Sequence, residues 1–227
     1  MQSLPTPDPR LLSTLPYLTR GGKCVDVGTD HAYLPIYLCS LGKIRGALAS
    51  DINEGPVARA KINVASYHLG KKISVLRTDG LSGVESFSPD DIVICGMGGE
   101  LICSIIDSAK WTKNKNIRLI LQPMTHADKL RAYLLSNGFS IIGENIIKED
   151  KIYQIICAEY SGNISDCSEL ELIFGKHNLE KKSEVFLEYA RYVRSVFVTR
   201  RDGKSLSGAD ISKEEYIITE IDKIINR

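Results

Sequence analysis

The residues best suited to chemistry follow the ends of short apolar runs. In the first group, residues 25–31 read V-D-V-G-T-D-H, with one glycine between two aspartates. A loop that binds pyrophosphate needs several glycines and no carboxylate, because helix N–H groups must meet an anion. Asp26 and Asp30 would repel a pyrophosphate, and they would attract a ligand with an ammonium and a sulfonium group, such as S-adenosylmethionine. Asp30 has an alternative role as the cap of the following helix.

Two further aspartates follow the next two apolar runs. Asp51 lies 23 residues after Gly28. An acid at this place can accept hydrogen bonds from both ribose hydroxyls of an adenosine, in NAD and S-adenosylmethionine alike. Asp79 precedes Gly80 and could bond an adenine amino group, or it could belong to an ordinary Asp-Gly turn.

A glycine-rich group, Gly96-Met97-Gly98-Gly99, follows the fourth run. Three glycines in four positions leave space beside a methyl donor for a target base, although a structural turn into a helix is the alternative. The Asn/Asp-Pro-Pro-aromatic motif that many amino-group methyltransferases carry here is absent from this sequence. That absence disfavours methylation of an exocyclic amino group.

Alternating strands and helices must position these groups. Val- and Ile-rich runs alternate with segments of helical periodicity, which predicts an α/β fold with βαβ units and a parallel sheet. The predicted strands are 23–27, 46–50, 73–76, 91–95 and 117–121, and the predicted helices are 32–41, 56–69, 100–108 and 127–136. Residues 140–148 and 152–160 predict an antiparallel hairpin that closes the sheet. This is the plan of a Rossmann-like class I methyltransferase, whereas a dinucleotide fold would continue with another crossover.

The last part of the chain has a different pattern. Apolar residues recur at helical spacing from Leu170 to Phe197 and again from Ile217 to Ile225, with a polar segment at 202–209. This predicts a C-terminal α-helical hairpin, coiled-coil-like, that could also be a cap or a dimer contact. We therefore predict a methyltransferase domain over residues 1–165 and a helical domain over residues 166–227.

Four segments together resemble the bacterial tRNA (adenine-22-N1)-methyltransferase family. They are D-V-G-T-D-H-A-Y-L-P-I, S-D-I-N-E-G-P, I-C-G-M-G-G-E-L-I and L-I-L-Q-P-M. The resemblance covers about residues 10–160 and continues less specifically into the tail. It implies a Rossmann-like domain before a helical, coiled-coil-like one, and methylation of N1 of adenine 22 in tRNA with S-adenosylmethionine and no metal. Thr29 stands where the family more often has serine, which keeps the hydroxyl.

By position, the resemblance implies two adjoining sets of site residues. The cofactor would be bound by Asp26, Gly28, Asp30, His31, Asp51, Ile52, Asp79, Gly80, Gly96 and Met97. The substrate base would be bound by Gly98, Gln122, Pro123 and Met124. Adenine N1 has its own lone pair, so the enzyme must mainly unpair the base, hold it in line and exclude water. Asp26 and Gln122 are the candidate catalytic residues that orient the adenine amino group, and a polar residue in a turn fixed by Pro123 is the alternative for Gln122.

Basic residues of the helical part are the candidates for RNA contact. The net charge is only +1, so RNA affinity must come from local clusters. The expected contacts are Arg191, Arg194, Arg200 and Arg201, with Lys204 beside them and a second cluster at Lys110, Lys113, Lys115 and Arg118. Such clusters are often only solvated faces. His68 and His177 are interpreted as surface or packing residues, and His126 as a helix cap or a catalytic group.

The remaining composition limits the function classes. No run approaches the ~20 apolar residues of a membrane span, and no secretory pattern is visible, so we expect a cytoplasmic protein. The six cysteines form no C-x-x-C pair and no cluster with histidine, which predicts buried reduced thiols and no metal. A monomer is favoured. The competing functions are methylation of another RNA base or a small molecule and non-catalytic S-adenosylmethionine binding, with an NAD oxidoreductase least favoured.

Overall fold

One seven-stranded sheet organises the first two thirds of the chain. The computed structural model describes residues 3–226. The first two residues of the predicted methyltransferase domain and the last residue of the predicted helical domain lie outside the described residues. The strands are β1 (Lys23–Val27), β2 (Gly46–Asp51), β3 (Ile73–Arg77), β4 (Asp91–Met97), β5 (Arg118–Pro123), β6 (Phe139–Lys148) and β7 (Ile152–Tyr160). Their order is β3-β2-β1-β4-β5-β7-β6. The first five are parallel and β7 runs antiparallel to both β5 and β6, which confirms the predicted sheet and its closing hairpin.

Helices cover both faces of this sheet. They are α1 (Pro9–Leu12), α2 (Tyr33–Ser40), α3 (Glu54–Ser66), α4 (Gly99–Ser108) and α5 (Ala127–Ser136). The four predicted helices are confirmed as α2 to α5: α5 has the predicted bounds, and the other three have ends shifted by up to three residues. Two apolar clusters form the core: one includes Ile92 and Leu119 with residues of α4 and α5, and the other includes Val93 and Ile120 with residues of α2 and α3. Neighbouring residues of one strand thus face opposite layers, as a buried parallel sheet requires.

The C-terminal part contains the predicted helical hairpin and two shorter helices. These are α6 (Glu169–Phe174), α7 (Lys176–Lys181), α8 (Glu184–Leu206) and α9 (Ser212–Ile225). Ser168 and Glu171 form a capping box at the start of α6, and the Ser183 hydroxyl accepts a hydrogen bond from the backbone N–H of Phe186 at the start of α8. Helix α8 continues to Leu206, and the turn of the hairpin follows it. The prediction that the polar segment 202–209 lies between the helices is wrong for residues 202–206, which belong to α8.

A third apolar cluster joins the helices to the sheet. It contains Phe174, Phe186, Phe197 and Ile221 of the helices together with Ile146 of β6. Because a sheet residue belongs to this core, the helices and β6 are packed as one body. The division of the chain after residue 165 stays a prediction.

A buried ion-pair network fixes the same junction. Arg131 of α5 donates to Glu144 of β6 and to Gln154 of β7, each at 2.7 Å, and to the backbone oxygen of Leu172 in α6 at 2.8 Å. Gln154 donates in turn to the Tyr189 hydroxyl of α8 at 3.0 Å. The side chains of Arg131 and Glu144 are 1% and 0% exposed. The placement of α8 over the sheet therefore depends on a polar network whose ion pair is almost fully buried.

Candidate functional site

The candidate site lies at the carboxyl ends of β1 and β4, where the strand order reverses. β2 and β3 lie on one side of this point and β5 on the other. Open α/β sheets bind ligands in the crevice at such a switch point. All four sequence groups fall at this edge, which brings the aspartates of the first three groups and the glycines of the fourth together.

Asp26 is the buried carboxylate of the crevice. It is 8% exposed, and no salt-bridge partner lies near it within residues 3–226. Burial raises the pKa of Asp26 to about 6, the charge of Asp51 adds to this rise, and a hydrogen bond from Thr29 opposes it. A cation bound beside these two carboxylates would relieve both the desolvation and the repulsion.

The turn after β1 bends back over the end of β2. The backbone N–H groups of Gly28 and Thr29 both donate to the Ser50 oxygen, at 2.8 and 2.9 Å. Gly28 has φ +79°, and a Cβ at this position would collide with the terminal methyl of Met97. The glycine therefore permits the left-handed backbone of the turn, with the flexible Met97 side chain lying against it.

Asp30 has a different environment from Asp26. Its carboxylate is exposed and paired with Arg59 of α3, and its second oxygen lies 3.2 Å from Nε2 of His31. The Arg59 guanidinium holds the pKa of Asp30 below its ordinary value. The alternative role as helix cap is wrong, since Thr29 accepts the Ala32 N–H at 3.1 Å instead. Arg59 also compensates much of the charge that the sequence interpretation assigned to a ligand.

His31 and Tyr33 form an aromatic pair at the start of α2. Their rings are stacked with centroids 4.9 Å apart and an interplanar angle of 13°. Asn63 donates to the His31 backbone oxygen at 2.9 Å, which fixes the turn against α3. Tyr33 is 40% exposed, so the pair lies at the protein surface beside Asp30.

Asp51 ends β2 with one carboxylate oxygen engaged. That oxygen accepts the Asn53 N–H at 2.7 Å, and within the described part of the chain the other accepts no hydrogen bond. Ile52 beside it is 53% exposed, an apolar surface next to a carboxylate. This is the combination of groups that a ribose with a flat heterocycle requires.

Asp79 and Gly80 follow β3, next to Thr78, whose N–H donates to the Asp51 backbone oxygen at 3.0 Å. Asp79 is exposed, and its backbone oxygen accepts the Ser82 N–H at 3.1 Å. Gly80 has φ +54° and lies against Ile105 of α4. The turn interpretation is therefore correct for the backbone, while the Asp79 side chain remains available for a ligand.

One glycine of the glycine-rich segment is needed for packing between two loops. The Gly99 N–H donates to the Thr125 oxygen and the Met124 N–H donates to the Met97 oxygen, both at 2.8 Å. A Cβ on Gly99 would collide with the backbone oxygen of His126. Gly99 thus allows the β4–α4 and β5–α5 loops to pack together, so the interpretation that all three glycines clear space for a base is wrong for this one.

Gln122 is held by a residue that the sequence interpretation omits. Its Oε1 accepts hydrogen bonds from the Arg10 guanidinium at 2.6 Å and from the Gly96 N–H at 3.1 Å. Its Nε2 donates to the Pro123 oxygen at 3.1 Å. Arg10 is 112 residues away in the chain and also lies 5.7 Å from the centre of the Tyr153 ring. Nothing in the local sequence around Arg10 indicates this contact.

The two other predicted base-site residues differ in exposure. Pro123 is buried at the end of β5, and Met124 is 42% exposed at the start of the following loop. His126 takes a left-handed backbone (φ 53°) before α5 and makes no side-chain cap there, so its predicted capping role is wrong.

Only part of the predicted basic surface is free. Arg194 is bound by Asp222 through two hydrogen bonds of 2.5 and 2.9 Å, and Arg201 by Asp202 at 2.7 Å. Arg191 and Arg200 have no carboxylate partner within residues 3–226. Further predicted contacts are also neutralised: Lys110 by Asp107, Arg118 by Glu159 and Lys204 by Glu214. The free cations of α8 are thus fewer than the sequence indicates.

Several other features bear on the class of site. The described residues contain no group of three or more His, Cys, Asp or Glu side chains that could hold a metal ion. All six thiols are free, but only Cys24, Cys39 and Cys157 are buried. Among residues 3–226, no helix is both long and apolar enough to cross a membrane.

Comparisons of the sequence and of the structure with known proteins find similarity to the same kind of protein, a tRNA methyltransferase. A family model described as tRNA (adenine(22)-N(1))-methyltransferase matches residues 24–224. The tRNA (adenine(22)-N(1))-methyltransferase of Bacillus subtilis is 36% identical over 184 residues, 79% of this chain and 77% of that protein. A Streptococcus pneumoniae protein in complex with S-adenosyl-L-methionine has a TM-score of 0.85 and 31% identity, covering 96% of this chain and 99% of that one. M. capricolum TrmK with S-adenosyl-homocysteine has a TM-score of 0.76 and 28% identity, covering 95% and 94%.

Proposed function

This chain belongs to the tRNA (adenine(22)-N(1))-methyltransferase family, and on that premise we propose that it transfers the methyl group of S-adenosylmethionine to N1 of adenine 22 in tRNA. The observation that carries the proposal is the buried Asp26 carboxylate beside Asp51 at the switch point of the sheet. Two carboxylates there suit a cationic nucleoside cofactor and would repel the pyrophosphate of NAD.

The residues of the crevice fit S-adenosylmethionine by their chemistry. The free oxygen of Asp51 would accept ribose hydroxyls, and the exposed face of Ile52 would pack against the adenine ring. Asp26 would face the cationic part of the cofactor, and Gly28, Gly96 and Met97 would border it. When bound, the cofactor supplies a methyl group on a positively charged sulfur.

Two polar side chains that line the crevice, Asp26 of β1 and Gln122 of β5, are the candidates to orient the target adenine. A glutamine oxygen has two lone pairs, and Arg10 and Gly96 already occupy both on Gln122. In this arrangement Gln122 cannot accept the adenine amino group, so of the two candidates only Asp26 retains acceptor capacity. Gln122 would instead fix the glycine-rich strand end and the position of Arg10. Because adenine N1 attacks through its own lone pair, no general base is needed.

Cofactor binding should depend on pH through Asp26. Its pKa is raised to about 6 in the free protein, and a cationic ligand binds the ionised form better. Below pH 6 the protonated form prevails, so the Kd for S-adenosylmethionine should rise by up to about tenfold per pH unit, and it should level off above pH 7. Calorimetric titration between pH 5 and 8 measures this step. Asp26→Asn should bind more weakly at pH 8 and show no step, whereas Asp79→Asn should retain it; a step in Asp26→Asn would contradict the assignment.

Arg10 should affect turnover more than cofactor affinity. Arg10→Ala removes one of the two donors that hold Gln122, and misplacing a positioned group by about 1 Å costs on the order of 100-fold in rate. We expect kcat on tRNA to fall roughly 10- to 100-fold while the Kd for S-adenosylmethionine stays within about twofold. The matched control is Arg45→Ala, which removes a guanidinium from an exposed pair with Asp90. An unchanged kcat in Arg10→Ala would show that the contact has no role in positioning.

The proposed reaction is tested by its product. Unmodified tRNA is incubated with the protein and S-adenosylmethionine, and the nucleosides are analysed by mass spectrometry. We expect 1-methyladenosine as the new nucleoside. A different methylated nucleoside would favour action on another RNA base, and cofactor binding without any methylated product would favour a non-catalytic binding protein.

A further inference from the structure

A groove separates the β5–α5 loop from helix α8. It has a volume of about 820 Å³, within the roughly 300–1,000 Å³ of typical ligand sites. One wall is the segment 123–128, and the other is a face of α8 that includes Tyr189, Tyr192, Val196 and Arg200. The first wall is shared with the candidate site, because Met124 lines the groove and its N–H is bonded to Met97 of the crevice. The groove therefore adjoins the crevice at Met124 and Met97.

Two tyrosines give the α8 wall an aromatic surface. The rings of Tyr189 and Tyr192 are stacked, with centroids 6.4 Å apart and an interplanar angle of 28°. The Tyr189 hydroxyl accepts from Gln154, which is itself held by Arg131, so the inner ring is fixed in place. Tyr192 is 61% exposed. A large exposed aromatic ring backed by a fixed one is a suitable stacking surface for an unpaired base.

The charges of the groove favour an RNA strand over an apolar peptide. Arg200, which lies 5.2 Å from the centre of the Phe197 ring, and Lys151 have no carboxylate partner within the described residues. Of the two acidic residues in the lining, Glu188 is engaged by Lys148 at 2.6 Å, and Asp128 stands at the start of α5. An RNA strand bound in the groove would therefore have its phosphates near Arg200 and Lys151 and away from Asp128. Its base would lie between the two walls.

We propose that this groove binds an unstacked nucleotide next to the methylated adenine, with its base on Tyr192 and its phosphates at Arg200 and Lys151. The inference rests on the proposed function, since it takes tRNA as the substrate. It adds a subsite that keeps the strand open while adenine lies in the crevice. Unpairing the target base leaves its neighbour without a stacking partner, and an aromatic side chain can replace that partner.

Replacing Tyr192 tests the stacking. Tyr192→Ala should raise the KM for tRNA and the tRNA Kd by about 5- to 150-fold, the range for loss of one base–aromatic stack, and leave the S-adenosylmethionine Kd unchanged. Tyr192→Phe keeps the ring and should stay within about twofold of the parent protein. Tyr216 of α9, 55% exposed and outside the groove, gives the matched control Tyr216→Ala, which should have no effect. Equal losses in Tyr192→Ala and Tyr192→Phe, or no loss in either, would overturn the proposal.

A fluorescence measurement of tRNA binding tests this subsite independently of methyl transfer. At saturating protein, tRNA carrying 2-aminopurine beside position 22 should stay quenched with the parent protein and Tyr192→Phe, whose rings restack the base, and should become more fluorescent with Tyr192→Ala. Because the readout is binding, it remains informative if the protein methylates no tRNA, a result that would sink the proposed function alone. Equal quenching by Tyr192→Ala and the parent protein would show that the base stacks elsewhere.

Discussion

Arg131→Met should lower the free energy of unfolding by about 3–5 kcal/mol, the typical cost of removing one partner of a buried ion pair. The Arg131 guanidinium donates to Glu144, Gln154 and the backbone of α6, and the pair is almost fully buried. Without it, the buried Glu144 carboxylate would keep only His177 as a partner, through its backbone N–H at 3.2 Å and its ring Nδ1 at 3.5 Å. Urea unfolding followed by circular dichroism measures the loss.

Two variants test whether the charge is the cause. Arg131→Met combined with Glu144→Gln removes both charges and should recover part of the stability, since the unpaired carboxylate is then gone. Arg45→Met breaks an exposed pair with Asp90 and should cost no more than about 1 kcal/mol. If Arg131→Met cost as little as Arg45→Met, the junction would not depend on the network. Because Tyr189 is held through Gln154, the single variant should also raise the KM for tRNA while cofactor affinity stays constant.

Asp51→Ala should raise the Kd for S-adenosylmethionine by about 10- to 150-fold, the equivalent of roughly 1.5–3 kcal/mol for hydrogen bonds to a charged group. The free oxygen of Asp51 lies at the end of β2, beside the exposed Ile52. Asp51→Asn is the sharper variant, because its side-chain oxygen can still accept the Asn53 N–H and preserve the turn. Calorimetry should show weakened binding in both variants, with Asp166→Ala, an exposed acid outside the crevice, as the unaffected control.

The same variant should change the titration of Asp26. The Asp51 charge helps to raise the pKa of Asp26, so its removal should lower that pKa and move the pH step in cofactor binding to a lower pH. A step that stays near pH 6 in Asp51→Asn would mean that burial alone sets the Asp26 pKa. Full affinity in Asp51→Ala would remove this residue from the cofactor site.

The parts of the fold that the sequence predicts are those set by local patterns. Continuous apolar runs such as 91–95 mark strands buried on both faces, and their alternation with helices fixes a parallel sheet. The carboxyl ends of such strands share one edge, so Asp26, Asp51 and Gly96 could be placed together from their positions alone. The closing hairpin followed from a short polar turn between two β-prone runs.

The features that the sequence does not predict depend on distant partners. Arg10 meets Gln122 across 112 positions, and neither residue has a local pattern that indicates the other. Arg194 looks like an RNA contact in the sequence, but Asp222 binds it, and only the folded hairpin brings Asp222 to α8. The close approach of Gly99 to the loop after β5 is likewise a property of two packed segments.

The most direct test of the account compares two tRNA transcripts that differ only at position 22. With radiolabelled S-adenosylmethionine, the transcript with adenine 22 should accept close to one methyl group per molecule, and the transcript with guanine 22 should accept none. Equal labelling of both would contradict adenine 22 as the site of methylation.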